Sequence, residues 1–116
     1  MIAVIFEVEP APGRRDAYLS IAASLRPMLD GIDGFISIER FQSLVNPDRV
    51  LSLSFWRDEE AVKAWRNTQE HREAQSAGRG GIFTGYRLRI ASVVRDYGMD
   101  ERREQAPQDS RALHGG

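Results

Sequence analysis

Residues 35–56, with the sequence FISIERFQSLVNPDRVLSLSFW, hold the pattern that decides the fold. Two segments whose residues fit the period-two alternation of a strand flank Asn46-Pro47-Asp48, a tripeptide typical of a turn. We predict strands at Phe35–Ser43 and Val50–Trp56 that pair as an antiparallel hairpin. In the second strand we expect three large apolar side chains to face the helices: Leu51, Leu53 and Phe55.

A strand and a helix precede this hairpin. Residues 2–8 alternate with period two and contain β-branched side chains, which predicts a strand with one face made of Ile2, Val4, Phe6 and Val8. Pro10, Pro12 and Gly13 end it. Apolar residues then recur at helical spacing from Tyr18 to Leu29, which predicts an amphipathic helix that Pro27 disturbs in its last turns.

The region after the hairpin repeats this arrangement in reverse. Asp58 is a good N-cap for a helix that carries Val62 and Trp65. Asn67 and Glu70 have the spacing of a capping box, so we expect a second helix to begin there and to run to about Ala77. After glycines 78, 80 and 81, the last strand is expected at Tyr86–Tyr97.

The order β-α-β-β-α-β predicts an α+β, ferredoxin-like domain with both helices on one face of a four-stranded antiparallel sheet. We assign residues 1–98 to this domain. Residues 99–116 contain almost no apolar side chains, so we expect a polar and mobile tail.

The sheet face without helices is predicted to be too apolar to remain in water. We expect a second copy to cover it, which predicts a homodimer through the sheet face, with Trp56 packing between the copies. The residues assigned to this face are Ala3, Ile5, Ile36, Ile38, Val50, Trp56, Ala91 and Val93.

The composition restricts the chemistry. The 116 residues include no cysteine and two histidines, His71 and His114. Disulfides, zinc ribbons, iron–sulfur clusters and a cysteine nucleophile are therefore excluded, and we expect no metal site. The formal net charge of −1 indicates no basic patch for nucleic acid. No apolar run spans a membrane and the chain starts directly with a strand, so we expect a cytoplasmic protein.

The sequence resembles the antibiotic biosynthesis monooxygenase (ABM) domain family of the dimeric α/β-barrel superfamily. The resemblance covers roughly residues 1–98. It rests on several stretches in the family's order: the opening strand with its Pro/Gly turn, residues 26–29, 34–40 and 53–65, Glu70-His71-Arg72, and residues 86–98.

The resemblance implies a cofactor-independent monooxygenase that oxidises a planar phenolic or anthrone-like compound with O2. A haem-degrading branch of the superfamily is the first alternative. Trp65 matches its tryptophan, but its asparagine falls on Phe6 and its axial histidine falls near Gln75. The second alternative is a non-catalytic dimeric α/β-barrel protein that binds a small ligand or has a stress-related role.

Two residues are the catalytic candidates. His71 shares a helix face with Gln75 that should point toward the domain, and a position in the first helical turn favours a neutral ring that accepts a proton. Its alternative role is to fix the helix break by hydrogen bonding. Tyr86 is a candidate phenolic donor, and its alternative role is that of an aromatic residue starting a strand.

Four residues are candidates for binding an aromatic substrate. Trp65 and Phe83 would form walls of the pocket, although a tryptophan at helical spacing also suits a core. Gln75 would orient His71 or the substrate. Arg79 would stabilise an anionic oxygen, as would Arg87 and Arg89, unless these charges form a solvated face.

Overall fold

The computed structural model describes residues 1–68 and 81–109 and confirms the ferredoxin-like α+β fold. The sheet has the strand order β2-β3-β1-β4, and every neighbouring pair is antiparallel. The elements are β1 (Ile2–Pro10), α1 (Arg15–Asp30), β2 (Phe35–Gln42), β3 (Val50–Trp56), α2 (Glu59–Arg66) and β4 (Phe83–Ser92).

Strand β1 lies at the centre of the sheet, paired with β3 on one side and β4 on the other. Phe6 is opposite Ser52 of β3 and Leu88 of β4. Directly opposed residues share a face of the sheet. The predicted alternation of β1 is confirmed, because Val8 is fully buried and Ile2, Val4 and Phe6 pack against the two core clusters.

The predicted orientation of β3 is wrong. Trp56 is only 2% exposed and packs with Leu29, Val62 and Trp65 on the helix side, so it does not lie between copies, and Leu51, Leu53 and Phe55 face away from the helices. Both faces of β3 carry apolar side chains. Alternation therefore fixes the period of the strand, whereas pairing with β1 decides which face meets the helices.

A β-bulge in β2 changes the composition of the open face, which we define as the sheet face without helices. Phe35 pairs with Trp56, but Ser37 pairs with the adjacent Phe55, so one extra residue lies between them. The shift places Phe35 and Ile38 on the helix side, where both pack against the core. The predicted assignment of Ile38 to the open face is therefore wrong. That of Val50 and Trp56 is also wrong, because pairing with Val8 and Ile2 of β1 places them on the helix side.

The helix ends follow the sequence signals closely. The Asp58 carboxylate accepts a hydrogen bond from the Ala61 N–H at 2.9 Å and caps α2. Gly34 has a φ of +93°, and a Cβ there would lie 2.7 Å from the Cβ of Ala61, so the residue before β2 has to be glycine for α2 to pack this closely. Helix α1 continues through Pro27 to Asp30.

Strand β4 begins and ends earlier than predicted, at Phe83 and Ser92 in place of Tyr86 and Tyr97. Beyond it, Arg103–Gln105 form a 3-10 turn and Ala106 is buried. The mobility of the tail stays a prediction. The second helix predicted up to Ala77 lies outside the described residues.

Candidate functional site

An aromatic cluster lies on the helix side of the sheet where β1 and β4 meet. The ring centroids of Phe6 and Tyr86 are 5.6 Å apart, and those of Phe6 and Phe83 are 6.0 Å apart. Tyr18 from α1 closes the cluster, with its ring 5.5 Å from Phe83. These edge-to-face and tilted contacts are the arrangements that aromatic quadrupoles favour.

The cluster continues into an exposed apolar strip along edge strand β4. Tyr86 is 66% exposed, Leu88 52% and Ile90 45%, and all three are on the helix side, as their pairing with Val8, Phe6 and Val4 shows. A strip of this kind at the mouth of an aromatic cluster is a surface that an apolar ring can cover.

Two small polar residues of β3 lie on the buried part of the helix side, next to β1. Ser52 and Ser54 are both buried, and the Trp56 indole N–H donates to the Ser54 hydroxyl at 2.9 Å. This hydrogen bond orients the indole and satisfies its buried donor.

Arg40 is a functional candidate that the sequence reasoning did not identify. It pairs with Ser52 across β2 and β3, so its side chain is on the helix side of the sheet. Arg40 is half-buried, and its Nε is buried without a hydrogen-bond partner. The available signal was its place in the alternation, since a cation two residues after Ile38 shares a face with a core residue.

An ion-pair cluster lies at the opposite end of the helix side, beside the start of α2. Arg57 donates to both Asp33 carboxylate oxygens, at 3.1 and 3.2 Å, and to Asp58 at 3.1 Å. Hydrogen bonding and charge attraction from Arg57 lower the pKa of Asp33. The Ala61 N–H, followed by Arg57, lowers the pKa of Asp58, and the two carboxylates raise the pKa of Arg57.

The cleft beside this cluster has a volume of about 420 Å³ and is open to solvent. Arg57 and Asp58 line one wall, and Ile90 from the apolar strip lines another. Arg57 and Asp58 are already engaged with each other, so neither of them offers a free charge to a ligand.

The structure brings together two of the predicted site residues and separates others from them. Phe83 and Tyr86 are neighbours in the aromatic cluster, with ring centroids 6.5 Å apart. Trp65 lies in the core cluster around Trp56. Arg89 pairs with Glu7 at 3.2 Å on the open face, away from the aromatic cluster.

The remaining predicted site residues, His71, Gln75 and Arg79, lie outside the described residues. Within residues 1–68 and 81–109, no three side chains of the types His, Asp and Glu gather as a metal site would require. In the same part of the chain, no helix is long and apolar enough to cross a membrane.

Comparison with known proteins gives a family match that covers most of the domain. Residues 1–77 match the family model described as antibiotic biosynthesis monooxygenase. A protein of Pyricularia oryzae named jasmonate monooxygenase ABM is 47% identical over 111 residues, which are 96% of this chain and 52% of that protein. The uncharacterized protein YqjZ of Bacillus subtilis is 31% identical over 62 residues, 53% of each protein. The chain thus spans about half the length of the curated relatives it matches.

Solved structures with the same fold have low sequence identity to this chain. A candidate antibiotic biosynthesis monooxygenase from Deinococcus radiodurans superposes with a TM-score of 0.76 at 11% identity, over 85% of this chain and 98% of that one. Rv0793 from Mycobacterium tuberculosis gives a TM-score of 0.74 at 17% identity, over 84% and 98% of the two chains. At these identities, the likeness shows the fold alone.

Proposed function

The chain belongs to the antibiotic biosynthesis monooxygenase family, and on that premise we propose that it is an enzyme that oxidises a planar phenolic or anthrone-like compound with O2 and without a bound cofactor. The observation that supports this proposal is the aromatic cluster of Phe6, Tyr18, Phe83 and Tyr86. It opens onto the apolar strip of β4, which offers a flat ring an aromatic wall and an entrance.

The substrate supplies the electrons in this reaction. Removal of a proton from the anthrone CH2 group gives an enolate, whose electrons reduce O2 as a carbon–oxygen bond forms. Cleavage of the O–O bond with loss of water leaves a carbonyl, so one oxygen atom enters the product and the other becomes water. One anthrone and one O2 give one quinone and one water, with no external reductant.

The protein's tasks in such a reaction are to move one proton and to stabilise one anionic oxygen. In our proposal, His71 accepts the proton and the Tyr86 hydroxyl donates to the oxyanion. Phe83 and Trp65 serve as walls. Gln75 orients His71 or the substrate, and Arg79 adds a positive charge beside the anionic oxygen.

The relative's name supplies a second candidate substrate, jasmonate. Its supporting observation is the 47% identity along nearly the whole chain. The two candidates differ in electron balance. Converting a C–H bond of jasmonate to C–OH with O2 needs two further electrons and two protons, so this reaction requires a two-electron donor such as a reduced nicotinamide.

Oxygen consumption tests the function and separates the two substrates. With anthrone alone, we expect O2 uptake above the spontaneous rate at one O2 per anthrone. His71→Ala should lower the rate by roughly 100-fold or more, as loss of a general base does, whereas the tail variant His114→Ala should not change it. Uptake with jasmonate that depends on a reduced nicotinamide would instead favour the second substrate. No uptake above background with either compound would contradict the proposed function.

We also propose that two copies pair through the open face. Its centre is made of half-buried Ile5, Leu51, Leu53 and Phe55. Two nearby carboxylates are paired, Glu7 with Arg89 and Glu9 with Arg49. A second copy would remove the apolar centre from water, while charged side chains without an ion pair, such as exposed Glu39, remain at its margin. The expected location in the cytoplasm stays a prediction.

A further inference from the structure

Arg40 carries a charge that the described residues do not neutralise. Its residue surface is half-buried and its Nε has no partner. No described hydrogen bond or ion pair reaches its guanidinium. Partial burial of an unpaired cation costs free energy, because water is removed from the charge and nothing replaces it. A buried donor left in this condition needs an explanation, and a role in binding an anionic group supplies one.

Four other arginines of the described chain are either paired with a carboxylate or exposed to water. Arg49 pairs with Glu9 at 2.9 Å, Arg57 with Asp33 at 3.1 Å and Arg89 with Glu7 at 3.2 Å, although all three are about half exposed. Arg66 is exposed, where water solvates its charge. Arg40 differs from these arginines because it is both partly buried and without a described partner.

That position lies in line with the aromatic cluster. Arg40 is opposite Ser52, Ser52 is opposite Phe6, and Phe6 is opposite Leu88, so the four residues form one row across all four strands. Three strand spacings of 4.7–4.9 Å place the ends of this row about 14 Å apart. The row is cationic at one end, has a small hydroxyl next to it, and is aromatic and apolar at the other end.

We propose that Arg40 binds the carboxylate of the substrate, so that the ligand of this site is an apolar monocarboxylic acid. The guanidinium presents parallel N–H groups that match the two oxygens of a carboxylate. The ring of such a ligand lies against Phe6 and the exposed strip of Leu88 and Tyr86. A distance of about 14 Å, reduced by the reach of the arginine side chain, matches the length of one or two fused rings with a terminal carboxylate. This inference names the substrate class of the proposed function and rests on it for the location of the site.

Calorimetric titration with two matched probes tests the proposal without requiring turnover. The probes are 2-naphthoate and 2-naphthamide, which share a planar ring system and differ in charge. We expect the wild-type chain to bind the carboxylate about 10- to 100-fold more tightly than the amide, the range that a charge-assisted hydrogen bond provides. Arg40→Met should abolish this preference, Arg40→Lys should retain part of it, and Arg66→Met should leave it unchanged.

Thermal melting separates a ligand-binding role from a structural one. If Arg40 is held ready for a ligand, Arg40→Met should melt at the wild-type temperature or higher, because an unpaired buried charge has been removed. 2-Naphthoate should raise the melting temperature of the wild type but not of Arg40→Met. A melting temperature of Arg40→Met several degrees below the wild type would show that Arg40 serves the fold, and would overturn the proposal.

Three binding results would also overturn it: equal affinity for the two probes in the wild type, a preference that survives in Arg40→Met, or no binding of either probe. These results are distinct from failure of the proposed function. Carboxylate-selective binding without O2 uptake from any substrate would contradict the function and leave the role of Arg40 standing. Turnover of neutral anthrones without carboxylate preference would do the reverse.

Discussion

The two faces of the sheet have opposite arrangements of charge and apolar surface. On the helix side, Trp56 and Ser54 are buried and hydrogen-bonded, while the cation of Arg40 is left unpaired. On the open face, half-buried apolar side chains occupy the centre, and Glu7 and Arg89 beside them pair with each other. The difference assigns different partners to the two faces. In our proposals, a second copy covers the apolar centre of the open face, and an anionic group binds Arg40 on the helix side.

The largest expected effect comes from removing the aromatic core of the helix side. Trp56→Ala should lower the free energy of unfolding by about 3–5 kcal/mol, the range for truncating a buried large aromatic residue. Phe55→Ala is the matched control, since it removes the adjacent aromatic side chain from the other face. Urea denaturation at one fixed protein concentration measures both. A larger loss for Phe55→Ala than for Trp56→Ala would contradict the assignment of the two faces.

The second effect concerns the open face. Leu53→Asp places a charge in the apolar centre of the proposed dimer interface, and desolvating that charge should prevent association. Light scattering should give a mass near twice 13.1 kDa for the wild type and near 13.1 kDa for the variant. Leu44→Asp, in a loop where Leu44 is 99% exposed, should keep the wild-type mass. A wild-type mass near that of one chain would rule out the dimer.

The fold could be predicted from sequence because the local signals agree with one another. Alternation in β1 and β3, the turn at Asn46 and the cap at Asp58 all appear in the structure where their chemistry requires them. The phase of β3 could not be predicted, because both of its faces are apolar and only pairing with β1 distinguishes them. The bulge after Phe35 could not be predicted either, because it depends on the register between β2 and β3.

The site was predictable only in part. Phe83 and Tyr86 are close in sequence, and their proximity in the aromatic cluster follows from the start of β4. Arg40 could be identified only after its face was known, because an arginine in a strand is usually solvated. Whether Arg40 finds a partner depends on which residues the neighbouring strands place beside it. No local sequence pattern contains that information.

A smaller effect is expected from losing the hydrogen bond between Trp56 and Ser54 on the helix side. Ser54→Ala removes the acceptor of the Trp56 indole N–H, which leaves a buried donor unsatisfied. The expected loss of unfolding free energy is about 1–2 kcal/mol, with a change in tryptophan fluorescence. Ser37→Ala, at an exposed position on the open side of β2, should cost much less. Equal losses in the two variants would show that the helix side does not depend on this hydrogen bond.

The smallest effect concerns the cap of α2, the helix that covers Trp56, and it depends on pH. The pKa of Asp58 is lowered below its ordinary value of 3.8, first by the Ala61 N–H and then by Arg57. A lowered pKa means that the carboxylate stabilises the fold above the unfolded-state pKa, and that this contribution disappears as pH falls through the folded-state pKa.

Asp58→Ala should therefore reduce the melting temperature at pH 7 by roughly 2–8 °C. The difference from wild type should shrink at a pH well below 3.8, where the folded-state carboxylate becomes protonated. Asp100→Ala, in an exposed segment, should change the melting temperature little at either pH. A deficit of Asp58→Ala that is equally large at both pH values would mean that packing, and not the charged cap, holds the start of α2 against the sheet.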